Sequence, residues 1–207
     1  MLVTTCRRLT IGVAAAAAVM ATTAVPAMAT GPAAACPAAP LSNPFTPWND
    51  YNDYQLAPEG GVESGGTTWS TTGGAAAVEG NETSMVGKPT DHRSMRLPAS
   101  STAATARMCI GADHPTFRFF VKRTGGTVLS SLMVEIVFND ASGQERSVLS
   151  GFVTGSGSWA PSPSMPTRIE LLGLFFGDTI DVSYRFRPVL GGVWSVDDVY
   201  VDPWRIH

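Results

Sequence analysis

Apolar and polar side chains alternate with a period of two over Ile180-Asp181-Val182-Ser183-Tyr184-Arg185-Phe186-Arg187. That spacing puts one set on each face of an extended strand and predicts a half-buried β-strand. Thr116 to Arg123 alternates less cleanly, with Phe117, Phe119 and Val121 set against Arg118, Phe120 and Lys122. Leu129 to Phe138 is nearly continuous in apolar and β-branched residues, the signature of a central strand covered on both faces. Further strands are expected at 75–79, 94–97, 107–111, 147–154 and 193–201. Turn chemistry separates them: Gly125-Gly126, then Asn139-Asp140-Ala141-Ser142-Gly143 as a hairpin, then Gly191-Gly192. Residues 167–176 read equally as a short helix opened by Pro166 or as a strand. Many short strands with Gly and Pro punctuation imply an all-β fold, an antiparallel two-sheet sandwich.

The amino-terminal pattern is of another kind. Arg7 and Arg8 precede an apolar run from Ile11 to Ala21, and Ala27-Met28-Ala29 supplies a small-x-small site. Residues 1–29 therefore read as a signal peptide cleaved after Ala29, and the mature chain is expected to be secreted. The apolar run is too short to cross roughly 30 Å of hydrocarbon, so no membrane span is expected after cleavage. The Arg pair leaves both the general and the twin-arginine export routes open. Residues 30–47 are rich in Ala and Pro and are expected to form an extended arm, because each Pro removes an amide donor. Residues 48–207 are left for the sandwich.

Removing residues 1–29 takes away two Arg and no acid and moves the formal charge from −3 to −5. An acidic chain whose only lysines are Lys88 and Lys122 lacks the basic surface that nucleic acid requires. Cys6 leaves with the leader, so Cys36 and Cys109 remain. An even pair in an exported chain reads as a disulfide tying the arm to the domain, the alternative being two free buried thiols. Acylation of Cys36 would need an aliphatic residue three positions upstream, where Ala33 stands.

Two stretches carry a resemblance. Leu56-Ala57-Pro58-Glu59-Gly60-Gly61-Val62-Glu63-Ser64-Gly65 is followed by Trp69 and Gly73-Gly74-Ala75, and Trp194-Ser195-Val196-Asp197-Asp198-Val199-Tyr200-Val201-Asp202 closes the chain's pattern. Together they resemble the opening and closing strands of jelly-roll modules with the galactose-binding-like fold, among them carbohydrate-binding modules. Those modules open with N-G-x-F-E-x-G; here Glu59 stands for Asn and Val62 for Phe. The middle, with Arg118-Phe119-Phe120, is similar to exported bacterial proteins of uncharacterised function with this architecture. The resemblance implies a structural calcium between first and last strands, with Glu63 as the opening acid and Asp197 as the closing one. A hard cation takes carboxylate and carbonyl oxygens and offsets acids that strand pairing brings together. The alternative is a bulge flanked by Asp197 and Asp198, one solvated and one accepting backbone hydrogen bonds.

Catalytic signatures are missing from the sequence. It holds no G-x-S-x-G elbow, no zinc spacing and no phosphate loop. Asp91-His92 and Asp113-His114 pair an acid with an imidazole, but neighbours on a strand point to opposite faces; His207 stands apart. Glu79, Glu82, Glu135, Glu145 and Glu170 could serve glycosidic cleavage only if two faced each other at a defined separation. Asn81-Glu82-Thr83 fits the glycosylation sequon by accident of composition. Aromatics carry the remaining signal. Trp48, Tyr51 and Tyr54 are interleaved with Asn and Asp, and Trp159 lies in a Gly/Ser/Pro loop, so Trp48, Tyr51 and Trp159 are candidate sugar platforms. The alternative is that they pin the arm or cap the core. The leading expectation is a non-catalytic exported module binding a glycan or another cell-envelope component. The competing one is a structural or surface-adhesion protein without a small ligand.

Overall fold

A computed structural model describes residues 36–174 and 178–204. The expected leader at 1–29 with its expected cleavage site, residues 30–35 of the arm, and His207 lie outside the described residues. The strands are β1 Leu41–Ser42, β2 Tyr54–Leu56, β3 Ser70–Thr72, β4 Ala76–Glu79, β5 Arg93–Leu97, β6 Thr102–Ala104 and β7 Met108–Gly111. They continue as β8 Thr116–Gly125, β9 Ser131–Asn139, β10 Glu145–Val153, β11 Ala160–Pro161, β12 Met165–Pro166, β13 Thr179–Val189 and β14 Val193–Asp202. The ambiguous stretch after Pro166 resolves to one helical turn, α1 Ile169–Leu172.

Two antiparallel sheets face each other. In the first, β14 pairs with β8 along its length on one side, and with β2 and β5 in succession on the other. Strands β1 and β4 extend this sheet, and β11 and β12 pair with β8. The second sheet runs β10-β9-β13-β6-β3, with β7 also on β13. The fold class is the antiparallel two-sheet jelly-roll sandwich that the alternation predicts.

Side-chain parity explains the core. Phe117, Phe119 and Val121 of β8 meet Val182, Tyr184 and Phe186 of β13, with Leu132, Val134 and Ile136 of β9 beside them. Stacked and edge-on ring pairs join them, with Phe117 and Tyr184 centroids 4.2 Å apart and Phe119 and Phe186 4.9 Å apart. Phe120, which breaks the alternation of β8, points to the other face and enters a second apolar cluster with Phe45, Tyr54 and Tyr200. Trp48, Val86 and Trp159 pack against that cluster. The outer face of the first sheet is thus covered by residues 43–54, and the arm's distal part is built into the sandwich. Arg118 fixes this cover: Nη1 donates to Asp50 Oδ2 at 2.6 Å, Nε and Nη2 donate to the Ser162 carbonyl, and the guanidinium lies 4.4 Å over the Phe45 ring. Cys36 and Cys109 form a disulfide, with Cα atoms 5.4 Å apart.

One expectation for β9 needs refinement. Its inner residues are core, but the outer set is Met133, Glu135 and Val137, so no apolar layer explains the run. Glu135 and Val137 are nevertheless only 9% and 4% exposed; Arg185 of β13 lies against Glu135, and Val137 sits between Ser147 and Ser183.

Candidate functional site

The outer face of the second sheet holds a groove of about 430 Å³ lined by residues of β3, β6, β9, β10 and β13 with the 105–107 segment. Period-two alternation supplies its floor: Ser183 and Arg185 on β13 point outward because Val182, Tyr184 and Phe186 point in. Hydroxyls come from Ser70, Thr72, Thr102 and Thr105, and charge from Arg107, Arg185 and Glu145. Arg185 anchors the groove. Its Nε donates to Glu135 Oε2 at 3.0 Å and its Nη1 to Glu145 Oε1 at 3.2 Å. Ser147 Oγ donates to the other Glu135 oxygen, and Arg187 approaches the same carboxylate at 3.6 Å. Arg107 donates to Asn139 Oδ1 at 2.9 Å.

Burial pushes the Glu135 carboxyl upward, but the hydrogen bonds and charges of Arg185, Ser147 and Arg187 outweigh it and hold the group below its usual range. A general acid requires the opposite shift, so Glu135 is a positioning anion for Arg185 and not a proton donor. Hydroxyl and guanidinium groups give the groove donors and acceptors. None of the described residues lining it is aromatic, so it offers no stacking platform.

The three aromatic candidates do not converge on this groove. Trp48 meets Phe120 edge-on, with centroids 5.4 Å apart, and Trp159 packs on the same cluster beneath Lys122, whose Nζ stands 4.8 Å from the ring. Both belong to the cover of the first sheet. Tyr51 is 71% exposed. The groove could have been found from the outward parity of Ser183, Arg185 and Glu135. Its shape depends on which strands flank β13, and alternation along one strand carries no such information.

A second feature lies where the first sheet's strands converge. Asp197 pairs with Phe120 and Tyr200 with Arg118, so β14 holds one more residue than β8 there, a β-bulge. Asp198 takes the left-handed backbone, φ 47°. Both carboxylates are buried, at 0% and 1% exposure, so neither is solvated. Asp197 accepts from the amides of Glu82 and Asp198 at 3.0 and 2.9 Å. Glu82, also buried, accepts from the amides of Ser84 and Val86. Asp198 Oδ2 has no hydrogen-bond partner. Burial, followed by the neighbouring charge of Asp198, pushes Asp197 well above the carboxylate range; burial and the charges of Glu82, Asp91 and Glu63 do the same to Asp198.

Glu63 accepts from the amides of His92 and Arg93 and lies 3.0 Å from His92 Nδ1. Gly61 and Gly87 face Asp198, and a Cβ at Gly87 would collide with Asp91 Oδ2 while touching both Asp198 oxygens. Glu63 and Asp197, the two acids expected to hold calcium, both accept backbone amides, while the carboxylate oxygen without a partner is Asp198 Oδ2. Among the described residues no three His, Cys, Asp or Glu side chains stand as a ready ligand set. A cation there would take Asp198 and Asp91, with backbone carbonyls and water completing the shell.

The histidine pairs behave differently from each other. His114 Nδ1 lies 2.7 Å from Asp113 Oδ1, contrary to the expectation from strand geometry, because residues 112–113 form a turn where adjacent side chains meet. Asp91 instead accepts from the Lys88 amide while His92 turns to Glu63.

No protein-family model and no curated protein matches the sequence. Solved structures do match by shape. The tandem CBM22-1–CBM22-2 domain of Xyn10C from Paenibacillus barcinonensis superposes with TM-score 0.50 at 11% identity, over 75% of this chain and 46% of that one. The CBM22-1–GH10 modules of xylanase 10B from Clostridium thermocellum, solved with xylohexaose, give 0.49 at 14%, over 69% of this chain and 27% of that one. The family 11 carbohydrate-binding module of Lic26A-Cel5E from Clostridium thermocellum gives 0.44 at 13%, over 74% and 96%. The chain spans about a quarter of the xylanase structure's length, and at these identities the likeness is one of fold. No helix among the described residues is long and apolar enough to cross a membrane. The chain has the galactose-binding-like jelly-roll fold on which carbohydrate-binding modules are built.

Proposed function

We propose that this chain is an exported, non-catalytic module that binds a hydroxyl-rich glycan in the groove on the second sheet. The observation that carries the reading is Arg185, held between Glu135 and Glu145 on a floor of Ser and Thr hydroxyls. A guanidinium locked by two carboxylates costs little entropy to engage a ligand, and sugar hydroxyls match such fixed donors and acceptors. The disulfide suits an oxidising compartment. Pull-down on insoluble polysaccharides and cell-wall fractions tests it. The Thr72→Val/Thr102→Val double variant and Arg185→Gln are expected to lose binding by about tenfold or more, at one to two lost hydrogen bonds, while Trp159→Ala keeps it. No retention on any polysaccharide, or loss on Trp159→Ala alone, would remove the proposal.

The acidic pocket supports a structural calcium ion as part of the same reading. Its support is the buried, unpartnered Asp198 oxygen facing Asp91 across Gly87. A second reading, a surface-adhesion protein without a small ligand, is favoured by one observation: Trp48 and Trp159 serve to cover a sheet. It predicts that the groove variants leave function untouched.

A further inference from the structure

The strand registers place five turns at one end of the sandwich. Trp194 pairs with Leu97 and Val193 with Gly125; Val189 pairs with Ser131, Val153 with Leu132, and Thr72 with Thr102. Residues 73–75, 98–101, 126–130, 154–159 and 190–192 therefore share that end. None of them is Asp or Glu, although the chain holds 17 acids. Cations flank the turns: Arg96 before the second, and Lys122 and Arg123 before the third.

Two of these turns carry bare aliphatic side chains. Val128 is 81% exposed, Leu129 74% and Leu190 71%. The two turns are fastened together by Ser130 Oγ, which donates to the Leu190 carbonyl at 3.1 Å, and Arg123 Nη1 braces the first by donating to the Thr127 carbonyl at 2.8 Å. A Cβ on Gly126 or Gly192 would strike the opposite turn, so glycine lets the two backbones touch. Three aliphatic side chains thus stand exposed on two turns joined by the Ser130 hydrogen bond.

We infer that this acid-free end is a docking surface for an anionic lipid bilayer, with Val128, Leu129 and Leu190 entering the interface and the flanking cations facing the headgroups. Charge selects this occupant: the carboxylates of an acidic molecule are all kept from this end, and cations beside it attract an anionic surface. Shape agrees, because projecting aliphatic side chains enter acyl chains without requiring a complementary cavity. The inference is independent of the groove, which lies on a sheet face.

The test is co-sedimentation of the full chain with vesicles of phosphatidylglycerol and phosphatidylcholine in equal parts, and of phosphatidylcholine alone. The Val128→Ser/Leu129→Ser/Leu190→Ser variant is compared throughout; it shares the amino-terminal apolar segment, so any difference reports the tip. The anionic vesicles are expected to retain the parent chain, less so at high salt, and the triple variant about tenfold more weakly at unchanged Tm. Equal retention of both chains would overturn the inference. So would a self-association seen in analytical ultracentrifugation that the triple variant abolishes without altering vesicle binding, since the occupant would then be a second copy.

Discussion

Asp50 shows how much one side chain can organise. Burial raises its pKa, but hydrogen bonds from Tyr54, Arg118 and the Asn52 amide together lower it below the ordinary value of 3.8. A carboxylate with a depressed folded pKa stabilises the protein above its unfolded pKa and loses that contribution as pH falls through the folded one. Asp50→Asn is therefore expected to cost about 1–2 kcal/mol at neutral pH and to flatten the acid limb of the stability curve, as measured by urea unfolding between pH 2 and pH 7. An unchanged acid limb would show that the pair with Arg118 is ornamental. Residue by residue, the sequence announced such groups unevenly. Trp48, Asp50 and Tyr54 stood out as a cluster of rings and acids, which is the composition both of a sugar platform and of a polar clasp. Only the position of Phe120, on the outward parity of β8, decides between the two.

At the scale of elements, the bulge in β14 governs the acidic pocket. It turns Val199 inward again after Val196 and leaves Asp197 and Asp198 where a regular strand would have one residue. If the pocket holds calcium, saturating ion at a hundredfold over Kd adds about 2.7 kcal/mol, so Tm rises with calcium and falls with chelator. Asp198→Asn is expected to abolish that shift and to leave the metal-free protein at least as stable, since it removes a buried carboxylate whose Oδ2 has no hydrogen-bond partner. Thermal melts of both chains with and without calcium check this; a calcium-independent loss on Asp198→Asn would mark the residue as a plain structural acceptor. Strand positions were legible because β13, and less cleanly β8, alternates at period two and β9 is a nearly continuous apolar run. The pairing of β14 with β2, β5 and β8 was not legible, because register is fixed by contacts between residues far apart in sequence.

For the molecule as a whole, the Cys36–Cys109 bridge joins the segment before β1 to β7, across 73 residues of sequence. Closing a loop of that length restricts the unfolded chain by up to about 4 kcal/mol in the entropic account. Cys36→Ser with Cys109→Ser is expected to lower unfolding free energy by 2–4 kcal/mol, read by guanidinium denaturation, and reductant is expected to do the same to the parent chain. A loss well below this range would mean the arm is held by the Phe45 cluster instead. The sandwich and its disulfide were readable because alternation and cysteine parity are local properties. The groove and the acid-free tip were not, because each gathers residues from five separate stretches.

The position of β14 in the first sheet bears on when the protein can fold. It comes after β2, β5 and β8 in the chain, yet it is the strand to which all three are bonded. Until residue 202 has been synthesised, those strands keep open edges and the sheet has no centre. Such an order of assembly postpones closure of this sheet until its last strand emerges from the ribosome.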